Sequence, residues 1–405
     1  EESFKEMLEV ARVLGQPALE AEALGGLCNA LFFSQRIEET AVRAVQAFET
    51  AERAGSSRLQ VDAMLTVAQV LQEDGNLADC KKLLDEVLAK AGATGHERTR
   101  LHALTYRGVV HYWQSEYDDA EARLTEALAL ASEQRDGLMV LISLQFLGLA
   151  RGNRGRLSQA LAALTEGKEM GLRNGDRFWL PRLASHIGWI HRELQDFDGA
   201  IHNDLEGLSI AREHGVVAAE ASALLNLSHD YIQAGQLDAA RETLDSLEKD
   251  HSHEDWFDWL YIIRLEDALA DYWLARGQPD RAAAHARRLL ELAEPRQART
   301  YVATAHRTLF QAAHATGDSA SIVVHIDAAL RELRSQPAPL CAWRLHGAIA
   351  RVRASDGDRA GAHVAYVDAA GVIKKLASGI DDAELRGIFL ASPAVRTILD
   401  GEAQA

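Results

Sequence analysis

The chain has 405 residues, 47% hydrophobic and 25% charged, the balance of an ordinary globular protein rather than a disordered or membrane-embedded one. Its 43 Lys and Arg against 60 Asp and Glu leave a net charge of −17, which excludes a general binder of phosphate backbones, since that affinity comes from clustered basic residues. Three cysteines cannot build a disulfide framework, no apolar run reaches the ~18 residues of a membrane span, and no secretory leader is legible; a reducing, cytoplasmic setting is expected, with no membrane and no direct nucleic-acid contact.

Only seven prolines occur, at the edges of apolar-periodic segments, and period-two alternation is rare, so the chain reads as all-α. Residues 1–17 predict a lone helix with Phe4, Met7, Leu8, Ala11 and Leu14 on one stripe and Gly15 at its stop. It is either a cap or the second half of a hairpin whose first half lies upstream, in a larger protein of which this chain is a fragment.

Residues 18–378 repeat. A turn recurs at Gln35, Gly75, Ser115, Gly155, Gln195 and Gly235 in steps of forty residues, then at Gly277 after forty-two, and at Gly317 and Gly357 after forty again. In the sixth copy Leu224, Leu227, Ser228 and Tyr231 share one helix face, Gly235 turns the chain, and Ala240, Leu244 and Leu247 form the returning stripe. Each repeat is thus a helical hairpin that must stack on its neighbours to bury its stripes. Residues 379–405 break the rhythm and predict a cap of two short helices, with Leu385, Ile388, Phe389 and Leu390 against the last hairpin.

Seven residues before the turns stand Cys28, Ala68, Gly108, Gly148, Gly188, Ser228, Ala270, Phe310 and Ala350, and five after them Thr40, Cys80, Ala120, Ala160, Ala200, Ala240, Ala282, Ile322 and Ala362. A large aliphatic, a small residue, a glycine-centred turn and then an alanine resemble tetratricopeptide repeats, of the long kind found in large bacterial regulators and signalling ATPases. The resemblance implies an α-solenoid of about nine hairpins whose first helices line a concave groove that binds a peptide or protein. The aromatic usual four residues before the turn survives only as Tyr231 and Trp273, which weakens any transfer of ligand.

No HExxH, P-loop, GxSxG or GxGxxG motif occurs, so no catalytic residue, metal or cofactor is expected. Cys28 and Cys80 fall at packing positions, and Cys341 opens the ninth repeat. Asn226-Leu227-Ser228 matches a glycosylation sequon but lies mid-helix. His251 and His253 read as loop residues, and His186, His191, His202, His214 and His229 as polar filling of hairpin flanks.

The groove positions carry the candidate partner-binding residues Asn29, Gln69, Tyr112, Gln145, Arg182, Trp189, Arg192, His229, Arg264, Asp271, Arg307, Gln311, Arg344 and Arg351. From the fifth repeat onward the stripe holds six Arg against the acids Asp267 and Asp271. Guanidinium forks match carboxylates, and Tyr112 and Trp189 can anchor an extended peptide, so an acidic or polar partner is expected unless the acids of the array take up the arginines themselves. The aromatic stretch Trp256–Trp273 suggests either a thick local core or a homodimer contact. The favoured function is a non-catalytic interaction scaffold, the regulatory module of a larger bacterial signalling protein. The alternative is a sensor of a sugar or metabolite, with a closed aromatic pocket around Trp189, that switches an attached effector.

Overall fold

Helices start where a side chain can cap them and stop where the backbone can turn over. Asp196, Asp318 and Asp358 each accept the backbone N–H three residues on, at 3.1, 3.2 and 2.9 Å. Gly235 closes its helix with φ +75°, a conformation that a side chain disfavours. A computed structural model describes residues 1–34, 36–250 and 258–403. Gln35, His251, His253, Trp256 and Phe257 lie outside the described residues.

The described residues form twenty-one helices and no strand. A lone α1 (Glu2–Val13) precedes nine hairpins: α2 (Pro17–Phe33) with α3 (Ile37–Arg53), α4 (Ser57–Glu73) with α5 (Leu77–Thr94), α6 (Glu97–Trp113) with α7 (Tyr117–Gln134), α8 (Gly137–Asn153) with α9 (Leu157–Asn174), α10 (Leu180–Glu193) with α11 (Phe197–His214), α12 (Val217–Gln233) with α13 (Leu237–Asp250), α14 (Asp258–Ala275) with α15 (Pro279–Ala293), α16 (Arg299–Thr316) with α17 (Ser319–Ser335), and α18 (Pro339–Ser355) with α19 (Arg359–Ser378). Two short helices follow, α20 (Ala383–Ala391) and α21 (Pro393–Ala403).

The chain divides into two units. The smaller comprises Glu1–His111, Ala122–Ser143 and a short stretch ending at Trp259. Its first core joins Leu8 of α1 to Ala23, Leu24 and Leu27 of α2 and Ala47 of α3. The stripe of α1 is narrower than its sequence suggests: Leu8 and Ala11 are buried, Leu14 is exposed, and Phe4 is only partly covered, its ring lying over Gly26. Cys28 and Cys80 are buried at the hairpin contacts, and burial pushes each thiol up to about 12.

The larger unit holds Tyr112–Glu121 and the chain from Leu144 and from Leu260 onward. Leu224, Leu227, Ala240, Leu244 and Leu247 pack with Leu269 and Tyr272 in one core. Small residues let paired helices close up: a Cβ on Gly148 would stand 2.6 Å from Leu164 Cγ. Phe389, Val395 and Ile398 of the last two helices are buried, whereas Leu385, Ile388 and Leu390 are half-buried.

This unit also returns on itself. The turn after α6 meets the start of α16: the Ser115 hydroxyl oxygen accepts the Thr300 backbone N–H at 3.1 Å and the Thr300 hydroxyl at 3.0 Å, and Tyr117 Oη lies 2.7 Å from Thr300 Oγ1. The turn after α8 lies under Leu376 and Pro339 at Gly155, and Ser158 Oγ accepts the Asp381 N–H at 2.9 Å. Glu193, at the end of α10, accepts from Arg344 Nη1 at 2.6 Å. Ser115 and Gln195 stand where most copies have glycine and take φ of +61° and +62°. Ser115 offsets that strain with the hydroxyl that makes the seam.

Leu227→Ala should cost ~2–5 kcal/mol and Gly148→Leu ~1–3 kcal/mol in urea unfolding, the first through a cavity and the second through overpacking; two neutral variants would contradict the packing described. Ser115→Ala keeps the backbone strain and strands the Thr300 N–H, so a loss of ~1 kcal/mol is expected. Hydrogen exchange should locate that loss at the start of α16, with the core of α12 unchanged.

Candidate functional site

The inner positions of the larger unit come from α10, α12, α14, α16 and α18. They carry more charge than a buried wall tolerates unless each group finds a partner. Most do. Arg192 Nη1 donates to Asp230 Oδ1 at 2.8 Å and to the Asn226 carbonyl at 3.2 Å. Asn226 Nδ2 donates to Asp204 Oδ1 at 3.0 Å and to the Ser185 carbonyl at 2.9 Å. Arg264 completes the chain, giving Nη2 to Asn226 Oδ1 at 2.7 Å and Nη1 to Ser222 Oγ at 2.8 Å.

Asp204 projects from α11 into the space left by the missing side chain of Gly188. Asp204 and Asp230 are wholly buried. Burial, then the charge of Asp230, holds the Asp204 carboxyl well above the usual range, while Arg192 opposes the rise at Asp230. Asp204 is thereby biased toward its protonated form, and Asp230 is the carboxylate that Arg192 contacts.

A second cluster lies on the next hairpins. Arg307 Nη2 donates to Asp271 Oδ1 at 2.7 Å, and His229 Nε2 lies 3.7 Å from Asp267 Oδ2. Burial, then the Asp271 charge, pushes Asp267 up to about 7. Burial, reinforced by Arg192, Arg264, Arg307 and Arg344, holds His229 well below the usual histidine value, so its ring is neutral. Arg344, besides its Glu193 contact, lies 4.7 Å over the Trp343 ring.

The sequence-predicted residues thus divide. Arg192, His229, Arg264, Asp271, Arg307 and Arg344 fall in these two clusters, and each of the four arginines gives at least one donor to the array itself, while Arg307 Nε and Arg344 Nη2 are buried without a partner. Arg182 turns back to the Phe178 carbonyl at 2.5 Å and lies over that ring. Tyr112 packs edge-on against Phe146 at 5.6 Å, Gln145 is buried, and Trp189 fills the space over Gly152, 2.6 Å from where a Cβ would stand. Both aromatics are half-buried and make these contacts within the array. Asn29, exposed, and Gln69, buried and bonded to the Tyr106 hydroxyl, belong to the smaller unit. Gln311 and Arg351 line a hollow of ≈ 320 Å³ with Leu274, His314, Ala348, Val352 and Ser355.

Of the aromatic stretch, Trp259 is buried and donates to the Gln72 carbonyl at 3.2 Å, Tyr261 donates to the Leu247 carbonyl at 3.0 Å, and Tyr272 is buried. Arg281 covers Trp273 at 4.4 Å. Trp259 thus packs within the smaller unit, and Tyr261, Tyr272 and Trp273 within the larger.

Sequence reasoning missed Asp204, Asp230, Asn226 and Glu193. Two signals marked them: an asparagine amid the apolar run of α12, and a glycine at the contact position of α10 where Asp204 needs room.

An acid whose native pKa exceeds its unfolded value binds more protons folded than unfolded, so its stabilisation declines as pH climbs from ~4 through the native value. Asp267→Asn should therefore gain stability relative to the wild type between about pH 4 and 7 in parallel urea titrations. Asp204→Asn should show a relative gain of the same sign as pH rises above ~4. Parallel pH profiles for variants and wild type would contradict the assignment of these protons.

The chain matches no protein-family model and no curated protein. Among solved structures it is similar to a Rap protein complexed with competence and sporulation factor, at 13% identity and a TM-score of 0.67, over 89% of this chain and 99% of that one. It is also similar to the Rap conjugation gene regulator of the plasmid pLS20 in complex with the Phr* peptide, at 13% identity and TM-score 0.58, over 87% and 95% of the two chains. The apo form of RapI matches at 11% identity and TM-score 0.54, over 68% of this chain and 98% of that one. At these identities the likeness is one of fold: the chain is an all-α, tetratricopeptide-like solenoid of helical hairpins.

Proposed function

We propose that the chain is a non-catalytic scaffold that binds a peptide or protein on the inner wall of its larger unit, as the regulatory module of a bacterial signalling protein in the cytoplasm. The carrying observation is the inner wall itself. Its paired charges fix the geometry of the wall around a hollow lined by Gln311 and Arg351, so that part of a rigid surface stays accessible to a ligand. Two structures of similar fold contain a bound factor or peptide, which supports the same use here. The free thiols of Cys28, Cys80 and Cys341 suit a reducing compartment, and among the described residues no helix is long and apolar enough to cross a membrane.

The internal pairing changes what the partner must offer. Arg192, Arg264, Arg307 and Arg344 are already neutralised or hydrogen-bonded, so a ligand gains little by competing for them. One open part of the wall is the hollow beside Gln311, lined by both apolar and polar groups.

Immobilised protein should capture a subset of a mixed hexapeptide pool, read by mass spectrometry. Gln311→Trp, which fills the hollow from a partly buried position, should reduce that capture at least tenfold with unchanged thermal stability. Capture of nothing by the wild type, or an unaltered set on the variant, would remove peptide binding at this wall.

A further inference from the structure

Arg351 stands apart from the other arginines of the inner wall. Arg192, Arg307 and Arg344 each hold a carboxylate within 2.8 Å, and Arg264 holds an amide and a hydroxyl. Arg351 has no ion pair or hydrogen bond among the described residues. It is exposed at the rim of the hollow, in an array whose acids exceed its bases.

Its surroundings define what would satisfy it. Leu274, Ala348 and Val352 supply an apolar floor. Gln311 adds an amide that both donates and accepts. His314 and Ser355 are tied to each other at 2.9 Å, and His314 Nδ1 lies 3.4 Å from Asp356, so the adjacent acid is turned toward the imidazole. The guanidinium of Arg351 runs back over Gly347, where Ile398 of α21 also packs; a Cβ there would stand 2.7 Å from Ile398 and 3.6 Å from Arg351 Nη1. A side chain at position 347 would therefore crowd Ile398 and come into contact with the Arg351 guanidinium. Partial desolvation and the charge of Arg307 both work against the Arg351 cation, and a bound anion would relieve both.

We infer that this hollow is a subsite for a carboxylate joined to a short aliphatic group, with Arg351 as the receptor for the carboxylate and Leu274, Ala348 and Val352 as the bed for the aliphatic part. The inference rests on the inner wall being a peptide-binding surface, and names the chemistry that the peptide presents there. A planar guanidinium can take both oxygens at once, which an ammonium cannot. The carboxylate is either the chain terminus or an Asp or Glu side chain.

The test uses the full chain, immobilised, with two hexapeptide pools of identical composition, one with free C-termini and one amidated. The wild type should enrich peptides in which a carboxylate follows or adjoins an aliphatic residue. Arg351→Ala should lower their capture at least tenfold, Arg351→Lys should restore only part of it, and peptides without that feature should be retained equally by all three proteins. Enrichment lost on amidation identifies the terminus as the source. Enrichment of Asp or Glu that survives amidation identifies the side chain. Capture by the wild type without acid enrichment, or the same acidic set on Arg351→Ala, overturns the subsite while leaving the peptide-binding wall in place. No capture by the wild type removes both.

Discussion

Thr300 gives its backbone N–H to Ser115 across 185 residues of chain, and the line of contacts to which this bond belongs decides how dry the inner wall of the larger unit can be. With the turns after α6, α8 and α10 seated on the later hairpins, the wall between them loses most of its water. Everything distinctive about its chemistry follows from that loss. A carboxyl beside another carboxyl is biased toward its protonated form, a histidine among four arginines stays neutral, and Arg192, Arg307 and Arg344 each hold an acid. On an open, wet groove the same residues would be an ordinary patch of solvated charge.

The hairpins were legible because their physics is local and repetitive. A stripe at i, i+3, i+4, i+7, a residue that tolerates positive φ, and small residues at close approaches are all written within forty positions. The seam was not legible, because its partners are hairpins far apart in sequence and nothing local records how tightly the array winds. Its one trace is a departure: Ser115 and Gln195 occupy a turn position where most copies have glycine. The inner positions fall on the first helices, and of the two readings open for their arginines, internal pairing with the acids of the array is the one these contacts favour for Arg192, Arg307 and Arg344. Six arginines against two acids looked like a basic stripe because the count stopped at the stripe. Asp230 lies one residue off it, Glu193 beside Arg192, and Asp204 on a returning helix.

Charge on such a wall is therefore a property of the ensemble of neighbours. The residues that matter for recognition are the ones left over once the array has satisfied itself, and Arg351 is informative for that reason. Trp189 teaches the converse. A large aromatic at a groove position spends part of its surface on the copy before it, where Gly152 at the facing site leaves room. A residue's register places its Cα on a face; its neighbour in the next hairpin decides whether the side chain is available.

Repeat arrays ordinarily gain or lose a copy with little consequence, since each hairpin answers only to the two beside it. The larger unit has given up that freedom. Its seam joins the turn of the third hairpin to the eighth and that of the fourth to the ninth, so an inserted or deleted copy between them would carry Thr300 a whole repeat away from Ser115 and Pro339 away from Gly155. The count of copies is locked like the number of staves in a barrel. The chain can drift in sequence at almost every position, but between the joined turns its length can change only if the seam is abandoned.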